Sequence, residues 1–294
     1  MATQKEISLI AFQQKFSTEE SCINHLFEMR YPEGFVCLRC GCKEYYPIRS
    51  RRLLQCKACG YQASLTVGTV MEKTHLPLQV WFWAIYLAGT DKRGCSAAQL
   101  SRQLELPYNT AWFLLHRIRK AMVNREENYV LNGIVEFDDS YFGSPTRSGK
   151  SCGRGTKRAN VLVALSKTED GKPGYLKMQL VEQAGSDSVK EFAAKYIEKG
   201  SIVQTDGLNW YKKPLSKEYK QDARDLKANT DPDWLKAIHI IISNVKAFIN
   251  GTYHGLGTKH LQAYLEEYSY RFNRRFFSQQ LFNRLLFAAL SSPH

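Results

Sequence analysis

Two aspartates, Asp138 and Asp206, each end a short run of apolar and β-branched residues. The first run, residues 134–137, has the polarity pattern of a strand with one buried face, and a second carboxylate, Asp139, follows it. Because successive strand side chains point to opposite faces, only one of Asp138 and Asp139 can enter a given site. Two strands that each deliver an aspartate indicate a two-metal site for phosphoryl chemistry, because Mg²⁺ prefers oxygen ligands. Strand-end aspartates that serve only turns are the alternative interpretation.

Two Cys-x-x-Cys pairs with fifteen residues between them indicate a second metal centre. The four residues are Cys37, Cys40, Cys56 and Cys59. This spacing is typical of a zinc ribbon, in which four thiolates hold one structural Zn²⁺ tetrahedrally. Cys42 is left over, because only Cys37 and Cys40 reproduce the spacing of the second pair. A cluster of thiolates also indicates a reducing compartment.

The charge balance favours a polyanionic partner. Lys and Arg number 41 against 28 Asp and Glu, which gives a net charge of +13. Such a surface favours nucleic acid over a membrane as partner. No apolar run approaches the roughly 20 residues of a membrane span, and the first residues do not resemble a signal peptide. We therefore expect a cytoplasmic, nucleoid-associated protein with no membrane partner.

Two basic segments are candidates for contact with that nucleic acid. Short helices are predicted at residues 96–104 and 110–122 across a tight break, and their arrangement resembles a helix-turn-helix. Its proposed outward contacts are Arg117, Arg119 and Lys120. The glycine-rich loop 147–158 has five cations and no acid, and its candidate contacts are Arg154, Lys157 and Arg158. A helical hairpin that links domains and a plain solvated loop are the respective alternatives.

The order of elements beyond residue 130 predicts how the aspartates meet. Strands are predicted at residues 160–166 and 175–182, a helix at 188–198, and then the strand that ends at Asp206. Three strands, a helix and a fourth strand are the order of a ribonuclease-H-like domain. There the first and fourth strands lie side by side, which would bring Asp138 and Asp206 together. A further helix is predicted at residues 234–250, after the start signal Asp-Pro-Asp.

Several blocks together resemble the zinc-ribbon-bearing insertion-sequence transposases with a DDE-like, ISXO-type catalytic domain. The blocks are the two cysteine pairs, Phe-Asp-Asp-Ser-Tyr at residues 137–141, Thr-Asp-Gly at 205–207, Gly-Thr-Tyr-His at 251–254 and Tyr-Arg-Phe-Asn-Arg-Arg at 270–275. The resemblance covers almost the whole chain and implies a multidomain α+β fold. Its expected parts are an N-terminal helix and zinc ribbon (1–75), a helix-turn-helix-like segment (76–130) and a ribonuclease-H-like catalytic domain (131–294).

The resemblance implies that Asp138 and Asp206 are the first two catalytic acids, and it exposes a departure at the third. His239 lies seven residues before Lys246 and twelve before Gly251, where glutamate-bearing relatives carry the third acid. An imidazole can bind a divalent metal but suits Mn²⁺ better than Mg²⁺. Asn244, whose carbonyl oxygen is a harder ligand, is the alternative. Lys246, two helical turns after His239, is expected to contact a phosphate near the cut.

The implied function is transposition of an insertion sequence. The protein would bind terminal inverted repeats and target DNA, then cleave and join strands with catalytic Mg²⁺ or Mn²⁺ and structural Zn²⁺. Because two ends must be joined, a homodimer or higher oligomer on double-stranded DNA is expected. A DNA-binding regulator or a catalytically inactive transposase-derived protein is the alternative.

Overall fold

The computed structural model describes residues 7–48, 51–143, 159–225, 231–254 and 256–293, except for the side chains of residues 278 and 279. The proposed DNA contacts Arg154, Lys157 and Arg158 therefore lie outside the described residues. The chain divides into two compact units, Met1–Arg125 together with Phe277–His294, and Glu126–Phe276. No helix in the described ranges has the length and apolar character needed to cross a membrane.

The first unit combines helices with a small antiparallel sheet. Its N-terminal part contains α1 (Leu9–Lys15), α2 (Glu19–Arg30), β1 (Tyr45–Ile48), β2 (Leu53–Cys56) and β3 (Gln62–Ser64). The three strands pair in chain order, each antiparallel to the next. This sheet follows the first cysteine pair and carries Cys56 of the second at the end of β2.

The rest of the first unit is helical. It contains α3 (Leu78–Thr90), α4 (Ala97–Gln103) and α5 (Tyr108–Glu126). The C-terminal helix α10 (Leu281–Ser291) packs on α3. Its buried Phe282 contacts the rings of Phe12, Phe16, Phe82 and Tyr86. This division differs from the expected boundaries, because the C-terminal segment shares a core with the first unit and not with the sheet that carries the aspartates.

The second unit is built on a five-stranded sheet. Its strands are β4 (Ile134–Phe142), β5 (Ala159–Lys167), β6 (Pro173–Val181), β7 (Ile202–Thr205) and β8 (Lys220–Ala223), in the spatial order β6-β5-β4-β7-β8. Strand β4 pairs antiparallel with β5 and parallel with β7. The predicted adjacency of the first and fourth strands is therefore present. Strand β8 has no counterpart in the sequence-based prediction.

Helices cover both faces of this sheet. On one face, α6 (Ser186–Tyr196) and α7 (Asn209–Leu215) pack on the apolar side chains of β4, β5 and β7. On the other face lie α8 (Lys236–Tyr253) and α9 (Thr258–Asn273), packed on β5 and β6 through residues such as Val163, Leu165 and Ile242. The side chains of β4 therefore alternate between two buried layers, and a polar side chain in this strand faces one helix pair or the other.

Candidate active site and metal centre

The register of the two parallel strands places the aspartates side by side. Glu136 pairs with Gln204, and Asp138 and Asp206 each follow two residues later in their own chain segments. Neighbouring strands lie about 4.8 Å apart, so the two aspartates occupy neighbouring positions, with Asp138 inside β4 and not at its end as predicted. Asp206 lies just beyond the end of β7 (Ile202–Thr205), and Gly207 follows it with a positive φ of 78°.

Asp138 and Asp139 face opposite layers. His239, in α8, has its Nε2 3.2 Å from Oδ2 of Asp138. The backbone N–H of Asp139 donates to the other oxygen, Oδ1 of Asp138, at 2.8 Å. The Asp139 carboxylate instead accepts a hydrogen bond from the buried Tyr211 hydroxyl of α7, at 3.0 Å. Of the adjacent pair, Asp138 is thus the one on the face of α8.

The carboxylates around His239 raise the pKa of its imidazole. The hydrogen bond to Asp138 raises the pKa of His239, and the negative charges of Asp138, Glu136 and Asp206 act in the same direction against the opposing effect of burial. The side chain of His239 keeps 46% of its surface exposed, whereas that of Asp138 keeps 16%. Solvent can therefore reach the imidazole, while the carboxylate is contacted from two sides.

The other sequence-predicted residues of α8 lie on different sides of the helix. Lys246, half-buried, places its Nζ 5.6 Å from the ring centroid of Phe142 in β4. Seven residues make nearly two full helical turns, so Lys246 follows His239 along one face. Asn244 is exposed and lines a cleft of about 680 Å³ together with Glu136 and Lys167. The structure brings His239, and not Asn244, into contact with Asp138.

The four cysteines of the two pairs converge on one point in the first unit. Cys37 Sγ lies 3.6 Å from Cys59 Sγ, and Cys40 Sγ lies 3.5 Å from Cys56 Sγ. A tetrahedral zinc site with Zn–S bonds of about 2.3 Å requires sulfur atoms about 3.8 Å apart, so this thiol set fits Zn²⁺. Cys42 stands apart, with its Sγ 3.4 Å from the backbone nitrogen of Glu44.

The two cysteine turns share one hydrogen-bonding scheme. Gly41 N–H donates to Cys37 O at 2.9 Å, and Gly60 N–H donates to Cys56 O at 3.1 Å. Both glycines have positive φ, 73° and 70°, which a side chain would disfavour. In the second turn, a hydrogen bond from the backbone N–H of Cys59 is the largest effect that lowers the pKa of the Cys56 thiol, to about 6. Thiolate, the form that binds metal, is therefore favoured at Cys56. At Cys40 the hydrogen bond from the backbone N–H of Cys42 acts to lower the pKa, but hydrogen bonds with the Cys59 and Cys56 sulfurs raise the pKa of Cys40 to about 12.

Within the described ranges, only these cysteines form a group of three or more ligating side chains whose atoms all lie within 4.8 Å of one another. Asp138, Asp206 and His239 do not meet that spacing as a trio. The charges of Asp138 and Asp206 both raise the pKa of His239, but the three side chains do not form a group as compact as the cysteine site.

Two regions of the chain, one with the aspartates and one with the cysteine pairs, match known protein families. Residues 130–273 match the ISXO2-like transposase domain, and residues 17–62 match the transposase zinc-ribbon domain. The chain combines a transposase zinc ribbon with an ISXO2-like transposase domain. An uncharacterized protein in transposable element ISH50 of Halobacterium salinarum is 26% identical over 210 residues, which cover 67% of this chain and 70% of that protein.

Solved structures with lower similarity include two of the Mos1 transposase. The pre-cleavage Mos1 transpososome is 13% identical, with a TM-score of 0.29 over 68% of this chain and 75% of that one. The Mos1 strand transfer complex is also 13% identical, with a TM-score of 0.28 over 68% of this chain and 74% of that one.

The prediction that Arg119 lies on the outward face of α5 is wrong. Only 2% of Arg119 is exposed, so its guanidinium is not on the surface of the helix. Arg117 is half-buried and donates to the carbonyl oxygens of Val70 and Glu72, at 3.3 and 3.0 Å. Of the three predicted contacts only Lys120 is exposed. The exposed residues of α5 that the prediction missed are Tyr108, Asn109 and Phe113, of which Tyr108 is 55% and Phe113 62% accessible.

The transposase domain also contains a buried carboxylate that the sequence reasoning missed. Glu136 lies in β4, two residues before Asp138, and is fully buried. Its Oε2 accepts the backbone N–H of Ile238 at 2.8 Å, and its Oε1 lies 2.7 Å from Lys167 Nζ. The available signal was an acid at an interior position of an apolar strand, on the same face as Asp138.

Proposed function

We propose that this protein is an insertion-sequence transposase that binds the terminal repeats of its element and catalyses divalent-metal-dependent strand cleavage and strand transfer. The observation that carries the proposal is the placement of Asp138 within β4 beside the end of the parallel strand β7, which Asp206 follows, with His239 against Asp138, inside the ISXO2-like transposase domain. The strand order and its parallel β4–β7 pair support a ribonuclease-H-like description of this domain.

In this proposal Asp138, Asp206 and His239 are the residues that hold a divalent cation, Mg²⁺ or Mn²⁺. Their donor set of two carboxylates and one imidazole suits such a cation, with the imidazole favouring Mn²⁺. When bound, the cation lowers the pKa of an attacking water or 3′-hydroxyl and stabilises the leaving oxygen. Asp139 fixes one oxygen of Asp138 through its N–H group, which leaves the carboxylate little freedom to rotate. Lys246 lies along the same helical face and is suited to hold a DNA phosphate.

The first unit supplies DNA binding in this proposal. Helices α4 and α5, separated by residues 104–107, support a helix-turn-helix description in which α5 enters the major groove. Lys120 offers the exposed positive charge on α5. The zinc ribbon, with Cys37, Cys40, Cys56 and Cys59 around Zn²⁺, adds a second module for contact with DNA. Joining two element ends requires two active sites, so a dimer or higher oligomer on DNA follows.

Cleavage of the element's own end DNA tests the proposal. The wild-type protein should nick this DNA in Mg²⁺ or Mn²⁺, and Asp138→Asn should abolish nicking while DNA binding is retained. Asp139→Asn is the matched control, because its carboxylate is adjacent in sequence but faces Tyr211. Binding of the ends by a wild-type protein that never nicks them in either metal would support a DNA-binding regulator or an inactive copy instead.

The third ligand can be tested on the same substrate. His239→Ala should abolish cleavage, because the imidazole is the α8 side chain in contact with Asp138. Asn244→Ala should cleave nearly as the wild type does, since Asn244 faces the cleft beside Glu136. His239→Glu should retain Mg²⁺-supported activity. The reverse result, with an active His239→Ala and an inactive Asn244→Ala, would assign the ligand to the amide.

A further inference from the structure

Helix α8 carries His239 in its first turns but has no capping side chain of its own. The residue at its N-cap position, Leu235, is buried and has a left-handed backbone conformation with φ of 56°. That conformation is disfavoured for a residue with a side chain, and the first N–H groups of a helix need acceptors from outside it. Glu136 of β4 supplies one acceptor, because its Oε2 receives the N–H of Ile238 at 2.8 Å.

Glu136 also forms an ion pair with Lys167, and from there polar contacts continue across the sheet. Oε1 lies 2.7 Å from Lys167 Nζ of β5, and Lys167 donates to Gln204 Oε1 of β7 at 3.0 Å. Gln204 in turn donates through Nε2 to Asp222 Oδ2 of β8, at 3.2 Å. We name these four residues, Glu136, Lys167, Gln204 and Asp222, the polar row. The polar row joins four strands and, through Glu136, the start of α8.

The polar row lies next to the candidate active site, on its N-terminal side along β4 and β7. Glu136 and Gln204 are register partners in the parallel β4–β7 pair, and Asp138 and Asp206 follow each of them by two residues. Two residues advance a strand by about 6.6 Å and return the side chain to the same face. Glu136 and Gln204 of the polar row therefore lie two residues N-terminal to Asp138 and Asp206 along their respective chain segments.

We propose that Glu136 is a positioning residue that seats the first turn of α8 on the sheet and thereby holds His239 against Asp138. Ile238, whose N–H Glu136 accepts, is the residue directly before His239. A carboxylate at this end of the helix also interacts favourably with the helix dipole. The Glu136 carboxylate differs from the proposed ligands in its surroundings, since it is fully buried between the Ile238 N–H and the Lys167 ammonium. This inference rests on the proposed divalent-cation site of Asp138, Asp206 and His239.

The test uses full-length, zinc-loaded protein and Mn²⁺ as the probe, with free Mn²⁺ measured by electron paramagnetic resonance. Removal of groups that orient metal ligands typically weakens binding about 10- to 100-fold, and Glu136→Ala should fall in that range. Glu136→Gln retains volume and one acceptor oxygen, so its loss should be smaller. Hydrogen exchange at the Ile238 amide should accelerate in both variants, whereas amides in the middle of α8 should keep their protection.

Glu267→Gln provides the matched control. Glu267 is also buried and bonded, since it accepts from the Tyr253 hydroxyl at 3.0 Å and pairs with Arg271 at 3.5 Å, but it lies in α9. Its substitution should change the midpoint of thermal unfolding without changing Mn²⁺ affinity. Equal loss of affinity in the Glu267 and Glu136 variants would overturn the positioning role, as would wild-type affinity and wild-type Ile238 exchange in Glu136→Gln.

Asp138→Asn separates this inference from the proposed function. If Asp138→Asn binds Mn²⁺ as the wild type does, the proposed cation site itself is wrong. If Asp138→Asn loses Mn²⁺ while Glu136→Gln and Glu136→Ala do not, only the positioning role fails. Should Glu136→Ala not fold, the affinity and exchange of Glu136→Gln decide the result.

Discussion

At the scale of single residues, the surroundings of each carboxylate determine what it can do. Asp138 keeps part of its surface exposed and faces His239, Asp139 is bonded to Tyr211, and Glu136 is enclosed between Lys167 and the start of α8. These three acids lie within four positions of one strand. Alternation of faces and depth of burial therefore divide them into a candidate ligand, a partner of Tyr211 on the opposite face and a helix anchor.

Glu266 in α9 leads to a prediction about pH and stability. Burial raises the pKa of its carboxyl from 4.5 to about 7, although the nearby charge of Lys177 opposes this. Because the folded-state pKa lies above that of the unfolded chain, the contribution of Glu266 is most favourable below about pH 4.5 and is lost as the pH rises through about 7. The difference in free energy of unfolding is about 3 kcal/mol.

Glu266→Gln should remove this penalty, because the amide keeps an oxygen to accept the hydrogen bond from Gln262 Nε2. The variant should be more stable than the wild type at pH 8 and show little difference at pH 4. Urea unfolding at both pH values measures this, with the exposed Glu198→Gln as a control that should change stability by less than about 0.5 kcal/mol. A Glu266→Gln protein that is less stable at pH 8 would contradict the burial argument.

At the scale of elements, the strands and turns that could be predicted from the sequence are those whose residue patterns are local. The cysteine pairs, the strand that contains Asp138 and the strand that precedes Asp206 were predicted because their residue patterns follow directly from turn and strand geometry. Strand β8 was missed because its four residues, Lys220–Ala223, lack apolar alternation and pair only at an edge of the sheet. The role of Glu136 could not be predicted, since it depends on where α8 begins in space.

The error at Arg119 has a physical cause in the periodicity of α5. Arg119 lies four residues after Leu115 and three before Met122, two inward positions, so helical spacing puts it on the buried stripe. Its charge suggested the surface, but the helical period determines its direction. Lys120 lies seven residues after the exposed Phe113 and shares its stripe. The exposed stripe of α5 consists of Asn109, Phe113 and Lys120.

The exposed stripe of α5 predicts different outcomes for two neighbouring basic residues. Lys120→Ala should weaken binding to the element ends and reduce the magnitude of the salt slope by about one, as expected for one lost phosphate contact. Arg119→Ala should instead reduce stability, because its side chain is buried. Filter binding at several salt concentrations, together with thermal unfolding, separates the two. If Lys120→Ala leaves both affinity and slope unchanged, this stripe does not contact DNA.

The zinc ribbon predicts a contrast between two cysteines in one turn. Cys40→Ser should release zinc and unfold the surrounding turns, because Cys40 Sγ lies 3.5 Å from Cys56 Sγ within the four-thiol group. Cys42→Ser should retain about one Zn²⁺ per chain, since the Cys42 thiol contacts the backbone of Glu44 and is not part of the four-thiol group. Metal content measured by mass spectrometry decides this, and zinc retained in Cys40→Ser but lost from Cys42→Ser would reverse the ligand assignment.

At the scale of the whole molecule, the chain leaves the first unit at Arg125 and returns to it at Phe277. The transposase domain is therefore inserted between two segments that share one core. In that core, α10 of the C-terminal segment contributes Phe282, which contacts aromatic rings of α1 and α3 and of the connection after α1. The first unit is consequently incomplete until the chain beyond residue 276 has folded onto α3.

Because α10 completes this core, substitutions in α10 are expected to affect α1 and α3, although these helices are distant from α10 in sequence. Phe282→Ala removes a ring that is 3% exposed and should destabilise the first unit, by about 3–5 kcal/mol as for other buried Phe residues. Phe287→Ala, in the same helix but 50% exposed, is the matched control and should cost less than about 0.5 kcal/mol. Hydrogen exchange should show faster exchange in α3 but unchanged protection in β4 and β5. Equal effects of the two substitutions, or loss of protection confined to the transposase domain, would mean that α10 does not complete the core of the first unit.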